Sequence, residues 1–506
     1  HDLTVMAGFE NYYMKDEELT AARDKYELTG YPYLNIGSED FQTNSGKGSE
    51  YTSNSVFGRV IYSYADRYLF QANIRHDGSS RFAKGYRWGT FPSFSAGWVM
   101  SEEKFMKSLN WDWLSFLKLR GSWGILGNER IGDDYFPYIA LMSFGNSLFY
   151  MADGSVVSDK TARPAILAVE DITWETTTST DFGLDANFFN NRLQFHFDYY
   201  WKQTKDMLLK IEIPYFMGYN NPNTNAGKMS THGYDIELAW NDRIGDLQYG
   251  VNVNFSDFLS KIDYMNDGEQ ISNGKIKRAG VLFNEYYGYV CDGIYQTQEE
   301  VNNSARTSTT VTVGDLKYRD ISGPDGVPDG IISPEYDRVP LGNSLPRFQY
   351  GGTFNASYKG IDFSIAFQGI GKQNSYLSTA MVQPLRDNYG SVPSIIEGKY
   401  WSPFNTAEEN LSARYPRLSN VSKSNNYATS SFWMFNGSYF RLKNLTLGYT
   451  LPETWTQKAG IDRVRFYISG SDLFCLSNFP DGWDPEMGAS SYPITTSLVM
   501  GLQVNF

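Results

Sequence analysis

Apolar and polar residues alternate along most of this chain, and the clearest stretch is D-F-G-L-D-A-N-F-F-N-N-R-L-Q-F-H-F-D-Y-Y-W-K, from Asp181 to Lys202. Phe182, Leu184, Ala186 and Phe188 alternate with Gly183, Asp185 and Asn187. Leu193, Phe195, Phe197, Tyr199 and Trp201 then alternate with Gln194, His196 and Asp198. A period of two predicts strands, and Asn190-Asn191, whose side chains tolerate positive φ, predicts a two-residue turn. Folded about that turn, Phe188 faces Leu193, Ala186 faces Phe195 and Leu184 faces Phe197, all apolar. On the other face Asn187 meets Gln194 and Asp185 meets His196. A soluble sandwich can contain one such hairpin, so the weight falls on its repetition.

The pattern repeats along the whole chain. A first strand around Leu3–Phe9 is followed by a polar Gly/Ser/Asn-rich loop to about Asn54. Strands near 55–64 and 67–77 join through Ala65-Asp66, and D-G-S-S-R-F at 77–82 leads to a strand near 89–100. A compact connector at 101–113, with one helical turn, precedes a strand near 114–127 and a long loop to about Ile172. After the hairpin come a loop at 207–229, strands near 230–242 and 246–260, and an excursion to about Leu345. A second hairpin turns at Lys359-Gly360, placing Phe354 opposite Ile365 and Ala356 opposite Phe363. Another long loop and strands near 438–451, 463–471 and 495–506 complete about fourteen strands of roughly ten residues. A register that works in two hairpins is hard to obtain by accident, because a slip of one residue would invert both faces.

Connections alternate between short and long. Such long loops are uncommon inside compact soluble domains, whereas outer-membrane barrels join short periplasmic turns to long extracellular loops. The expected fold is therefore all-β, an antiparallel transmembrane β-barrel. Ala65-Asp66, 101–113, Asn190-Asn191, 243–245, Lys359-Gly360 and 452–462 are expected inside, and the long loops outside. Leu193, Phe195, Phe197, Tyr199 and Trp201 are expected to face lipid, and Gln194, His196 and Asp198 the lumen.

Composition agrees. Tyr (37), Phe (33) and Gly (46) dominate over Trp (12), a mixture that favours strands and turns. No apolar run is long enough for a membrane helix, and a mean hydropathy of -0.43 still permits a barrel, since only alternate residues meet lipid. A net charge of -13 argues against nucleic-acid binding. Cys291 and Cys475 lie far apart without metal-ligand spacing, and either state, paired or free, remains open.

Several segments resemble the SusC/RagA-type TonB-dependent outer-membrane transporters: F-G-R-V-I-Y-S-Y-A-D-R-Y-L-F at 57–70, R-H-D-G-S-S-R-F at 75–82, W-G-T-F-P-S-F-S-A-G-W-V-M-S-E-E-K-F-M at 88–106, L-K-L-R-G-S-W-G at 117–124, G-D-L-K-Y-R-D at 314–320 and Y-F-R-L-K-N-L-T-L-G-Y-T-L-P at 439–452. The resemblance runs from about residue 55 to the end. It implies a bacterial outer-membrane importer of oligosaccharides or peptides of the Bacteroidota, with an N-terminal plug, a 22-stranded barrel, a SusD-type surface lipoprotein as lid and energy delivered through TonB. Residues 1–506 would then be the C-terminal part of that barrel, with plug, TonB box and early strands supplied by upstream sequence. Lipid and lipopolysaccharide would surround the wall. A passive porin or adhesin barrel is the alternative, and a soluble all-β carbohydrate-active enzyme a third reading. No catalytic pattern supports the enzyme: carboxylates such as Glu408-Glu409 have no distinguishing spacing, and no G-x-S-x-G elbow occurs.

Three candidate sites follow. Asp320, Ser322, Asp325 and Asp329 set oxygen ligands at short spacing around Gly326, as a Ca²⁺ loop does, although two prolines and an extra Gly break the EF-hand pattern and turns demand the same residues. Trp401, Phe404, Tyr415 and Trp483 are loop aromatics suited to sugar rings or a lid protein, or to packing the loops. Tyr286 and Tyr287 belong to the same aromatic-rich outer loops, 261–345 and 371–436, expected to form a docking platform. Leu502, Val504 and Phe506 end the last strand and resemble the C-terminal assembly signal of outer-membrane barrels, with Val504 where a second aromatic is common.

Overall fold

The computed structural model describes the chain except residues 32, 133, 267, 379–382, 386–391, 422 and 488–490. Fourteen strands form the main sheet: β1 (Asp2–Arg23), β2 (Gln42–Tyr64), β3 (Tyr68–Ser79), β4 (Trp88–Val99), β5 (Leu114–Asn128), β6 (Glu175–Phe188), β7 (Leu193–Lys210), β8 (Asn223–Ile244), β9 (Leu247–Met265), β10 (Arg347–Tyr358), β11 (Ile361–Lys372), β12 (Tyr439–Thr450), β13 (Arg463–Ser477) and β14 (Ser497–Asn505). They lie in the sheet in chain order, with β1 and β14 at its two ends. The expected strand number and all-β class hold. Contacts group the chain into two compact units, one of His1–Trp98, Arg120–Asp181 and Lys202–Ser230, the other of Val99–Leu119, Phe182–Trp201 and Thr231–Phe506.

In the second unit the alternation becomes a two-faced wall. Leu247, Tyr358, Ile361, Tyr449, Phe466 and Leu502 stand directly opposite one another on successive strands. Tyr249, Ala356, Phe363, Leu447, Ile468 and Met500 form the next such row, and Val251, Phe354, Ile365, Leu445, Gly470 and Leu498 a third. Directly paired residues share a face, so all three rows lie on one side. Many of these side chains are exposed, Met500 by 73% and Leu498 by 67%. A contiguous exposed apolar face of that extent needs a nonaqueous neighbour, and the alternation supplies one for lipid. The opposite face carries Asn252–Thr353–Ala366–Asn444 and Asn355–Ser364–Thr446–Ser469.

The first unit repeats the scheme. Leu3–Tyr62–Phe70–Ala96 and Val5–Val60–Ala72–Phe94 are apolar rows, whereas Met6–Arg59–Asn73–Ser93 runs along the other face. There Arg59 donates to Asn73 at 2.6 Å and Asn73 to Ser93 at 3.1 Å. Phe82, Phe91, Ile131, Ile172 and Trp174 form this unit's buried cluster.

The inner turns explain the register. Lys359 and Gly360 both have positive φ, 45° and 87°, between the paired residues Tyr358 and Ile361, a two-residue hairpin of the expected form. Its predicted pairs, Phe354–Ile365 and Ala356–Phe363, are those found. Between β6 and β7 the turn is wider than expected: Phe189, Asn190 and Asn191 all have φ between 54° and 64°. Even so, His196 Nδ1 lies 3.0 Å from Asp185 Oδ1, the contact the polar face predicts. The connector at 101–113 contains the helix Lys104–Ser108.

Three polar stretches read as loop are strand. β1 runs on to Arg23 and pairs with β2 back to Gln42, so the segment up to Asn54 is half of a long ribbon. The loop between β5 and β6 contains a hairpin, Met142–Tyr150 with Val156–Pro164. β7 and β8 also reach further into the 207–229 loop. Where water bathes both faces, a strand needs no alternation, and backbone pairing leaves no hydropathy signal.

Arginine at Ile365 in the assembled barrel should cost about 2–4 kcal/mol, because the charge would lie near the bilayer midplane, and arginine at its neighbour Ser364 less than about 1. Urea titrations of folding into lipid bilayers measure the difference.

Candidate binding surface

The long outer connections of the second unit fold into a body of their own. Glu269–Ser272, Lys275–Arg278, Glu285–Tyr289 and Arg338–Asn343 make a four-stranded antiparallel sheet. Cys291–Ile294 pairs with Leu316–Tyr318, and short helices span Gln298–Asn303 and Ala407–Ser412. Three apolar clusters support it, one around Tyr289, Leu316, Tyr318 and Ile332, one around Leu377, Trp433 and Phe479, and one of Tyr295, Val301 and Val311.

Asp315 lies between these layers and is fully buried. Its carboxylate accepts from Arg417 Nε at 2.7 Å, from Asn426 Nδ2 at 3.0 Å and from the Thr312 amide at 3.0 Å. Asn426 in turn accepts from the Leu316 amide at 2.9 Å, and its carbonyl takes the Trp433 indole N–H at 2.8 Å. Asn425 accepts from Thr307 at 2.6 Å and donates to the Leu316 carbonyl at 2.9 Å. One buried charge thus joins segments more than 100 residues apart in sequence. Such a pair holds only when its remaining hydrogen-bonding positions are filled, and here they are. Burial pushes the nearby Cys291 thiol up to about 11 and, with Glu300 adding to it, the Tyr295 hydroxyl up to about 12. Both cysteines are free thiols.

The body redistributes the expected aromatic site. Trp401 is buried and donates to Gln296 at 3.2 Å, so it anchors its loop rather than presenting a ring. Tyr415 and Trp483 are half-buried against the Trp433 cluster. Phe404 alone of the four stands free, 96% exposed. Tyr286 and Tyr287 are buried in the four-stranded sheet. Part of 371–436 lies outside the described residues.

In the acidic loop, Asp320 accepts from the Gly330 amide at 2.7 Å and Asp329 from the Ile331 amide at 2.9 Å. These carboxylates cap turns, and among the described residues no group of three or more acidic, His or Cys side chains is placed to hold a metal. Asp337, fully buried, ties the loop by accepting from the amides of Ile321 (2.7 Å), Ser322 (3.2 Å) and Ser333 (2.7 Å). At the chain's end, Leu502 lies in an apolar row, Val504 is half-buried opposite the buried Val464, and Phe506 is 87% exposed.

The polar face of β8–β12 lines an open groove of about 750 Å³ with Glu237, Asn252, Asn254, Gln349, Gln368 and Lys443 in its wall. Its upper edge carries a charge cluster. Arg441, 3% exposed, pairs with Asp484 at 2.6 Å and with Glu486. Lys443 pairs with Asp472 at 2.6 Å, and Gln368 donates to Glu486 at 2.9 Å. The segment around Trp483–Glu486 is thereby fixed both to the polar wall and to the body's apolar cluster. Sequence reasoning missed this cluster, yet a signal existed. Polar residues fall at Arg441 and Lys443 and then at Asn444 and Thr446, so the period slips by one. The structure has its register shift between Leu442 and Asn444, and bulges of this kind re-aim side chains.

A family model described as TonB dependent receptor-like, beta-barrel matches residues 2–469. TonB-dependent receptor P3 of Formosa agariphila is 30% identical over 544 residues, an alignment covering 100% of this chain and 51% of that protein. TonB-dependent receptor SusC of Bacteroides thetaiotaomicron is 31% identical over 470 residues, covering 89% and 43%. The chain spans about half the length of these curated relatives. Among solved structures, the RagAB peptide transporter superposes with a TM-score of 0.81 at 23% identity, covering 100% of this chain and 53% of that one. The similarity to the SusC/RagA type inferred from sequence segments therefore extends to the fold.

Replacing Asp315 by Asn would leave Arg417 without its counter-charge and should destabilise the outer body by about 3 kcal/mol. Limited proteolysis should then cut within 290–430 at protease levels that spare the wild type, while the sheet stays resistant. A thiol at about 11 instead of 9.0 carries about 100-fold less thiolate at pH 8. Iodoacetamide should accordingly label Cys291 about that much more slowly than a free thiol, read by peptide mass spectrometry.

Proposed function

Since the chain belongs to the TonB-dependent receptor-like β-barrel family, and so to proteins of the bacterial outer membrane that are not enzymes, we propose that it is the C-terminal barrel portion of an active nutrient importer. Its fourteen strands would be completed to about 22 by further sequence, consistent with the unmatched half of the relatives and with β1 and β14 at opposite ends of the sheet order. The substrate is an oligosaccharide or peptide too large for simple diffusion, and the energy arrives through TonB acting on a plug. Leu502, Val504 and Phe506 form the assembly signal.

The observation that carries this reading is the outer body with its own apolar clusters and its buried Asp315–Arg417 pair. A pore whose loops merely narrow the channel has no need of a rigid structure above it. An importer covered by a SusD-type lipoprotein needs a docking surface of at least about 1,000 Å² that survives repeated opening, and a body held by buried charge provides one. In this mechanism the sheet is a static wall: its apolar rows seal against lipid, its amide- and carboxylate-lined face lets polar substrate pass in water, and no covalent step is required. Phe404 and the half-buried Tyr415 and Trp483 supply aromatic contact for the lid or for sugar rings.

Affinity purification from the native membrane in mild detergent tests the lid. An acylated surface lipoprotein should co-purify with the intact protein and be lost when 371–436 is shortened. Absence of a lipoprotein from the intact preparation, or its retention after shortening, would count against the docking role.

A further inference from the structure

A cavity of about 340 Å³ opens in the outer body between the 399–415 loop and segments around Ile294, Phe432 and Pro480. Lys399 and Arg414 line it together, because the amides of Arg414 and Tyr415 both donate to the Lys399 carbonyl, at 2.9 and 3.1 Å. The loop that bears them is rigid. Tyr400 and Tyr415 bridge its ends, the buried Asn410 side chain bonds the amide and carbonyl of Ser402 at 3.0 and 2.9 Å, and Thr406 and Glu409 form a reciprocal helix cap.

Two like charges, both exposed, are thus carried on hydrogen-bonded neighbouring backbone, and an anion shared between them would relieve their repulsion. Neither is ion-paired with any described residue, whereas Arg417, Arg319 and Lys317 of the same body pair with Asp315, Asp292 and Glu300. Asp481 also lines the cavity, leaving it one positive charge in excess within a chain of net charge -13. Tyr415, Phe432 and Phe435 form the apolar wall beside the cations, backed by the buried Trp433.

We propose that this cavity is a substrate-capture subsite for a carboxylate carried beside an apolar face, the chemistry shared by a uronate sugar and by the C-terminal residue of a peptide. The guanidinium of Arg414 offers a fork to the two carboxylate oxygens, Lys399 adds a compact charge, and the aromatic wall takes the C–H face of the ring or side chain. The inference rests on the import reading and narrows its substrate class.

Calorimetry on the full-length protein in mild detergent tests it with two matched pairs: a hexuronate trisaccharide against its methyl ester, and a tripeptide against its C-terminal amide. One acid should bind about tenfold more tightly than its own neutral partner, which also identifies the source. That preference should vanish in the Lys399→Gln/Arg414→Gln double variant and persist in Lys423→Gln, a cation outside the cavity. Protease resistance of the outer body in the double variant shows that folding is intact. If neither acid is preferred by the wild type, or if the preference survives in the folded double variant, the subsite is overturned. Growth on the native nutrient, lost on deletion of the protein, reports the import reading separately: import without acid preference removes the subsite alone.

Discussion

Hydrocarbon offers no partner to a backbone amide, so a chain crossing it must satisfy every amide by pairing and turn only apolar side chains outward. Much of this structure follows from that constraint. It demands long antiparallel ladders, and it explains why Leu247, Tyr358, Ile361, Tyr449, Phe466 and Leu502 can stand in one row across six strands while the residues between them are polar. Tight inner turns such as Lys359-Gly360 keep successive strands in that register. The exposed face, a hazard in water, is the stabilising surface in lipid.

Outside the membrane the constraint is lifted, and a different one replaces it. Long connections lose conformational entropy when ordered, and the body recovers it through buried clusters and a charge network rather than through alternation. Asp315 and Tyr318 lie within the G-D-L-K-Y-R-D segment and Arg417 about 100 residues further on, yet the carboxylate, Asn425, Asn426 and Trp433 form one connected network. Trp401 is consumed by this packing and Tyr415 and Trp483 are half-buried by it, so that of these four aromatics Phe404 alone projects fully.

The two regimes meet at the bulge near Lys443. Arg441 and Lys443 belong to a strand, Asp484 and Glu486 to an outer loop, and their pairing couples the polar wall to the body above it. The groove lined by amides and a carboxylate thus has one edge tied to the loop body.

The sequence by itself determined the two-faced sheet: strand number, the Lys359-Gly360 register and the Asp185–His196 contact all follow from a period of two, because a single-residue slip would put half the side chains in the wrong solvent. It also marked the loop body through the 314–320 segment without revealing its role. The tertiary structure decided what periodicity does not encode. The outer ribbon of β1 and β2 was unreadable because both its faces meet water. The burial of Trp401, the capping roles of Asp320 and Asp329, and the lack of an ion-pair partner for Lys399 and Arg414 among the described residues depend on which distant segments close over each residue. Local patterning reports the solvent a residue meets; only the folded loops set its neighbours.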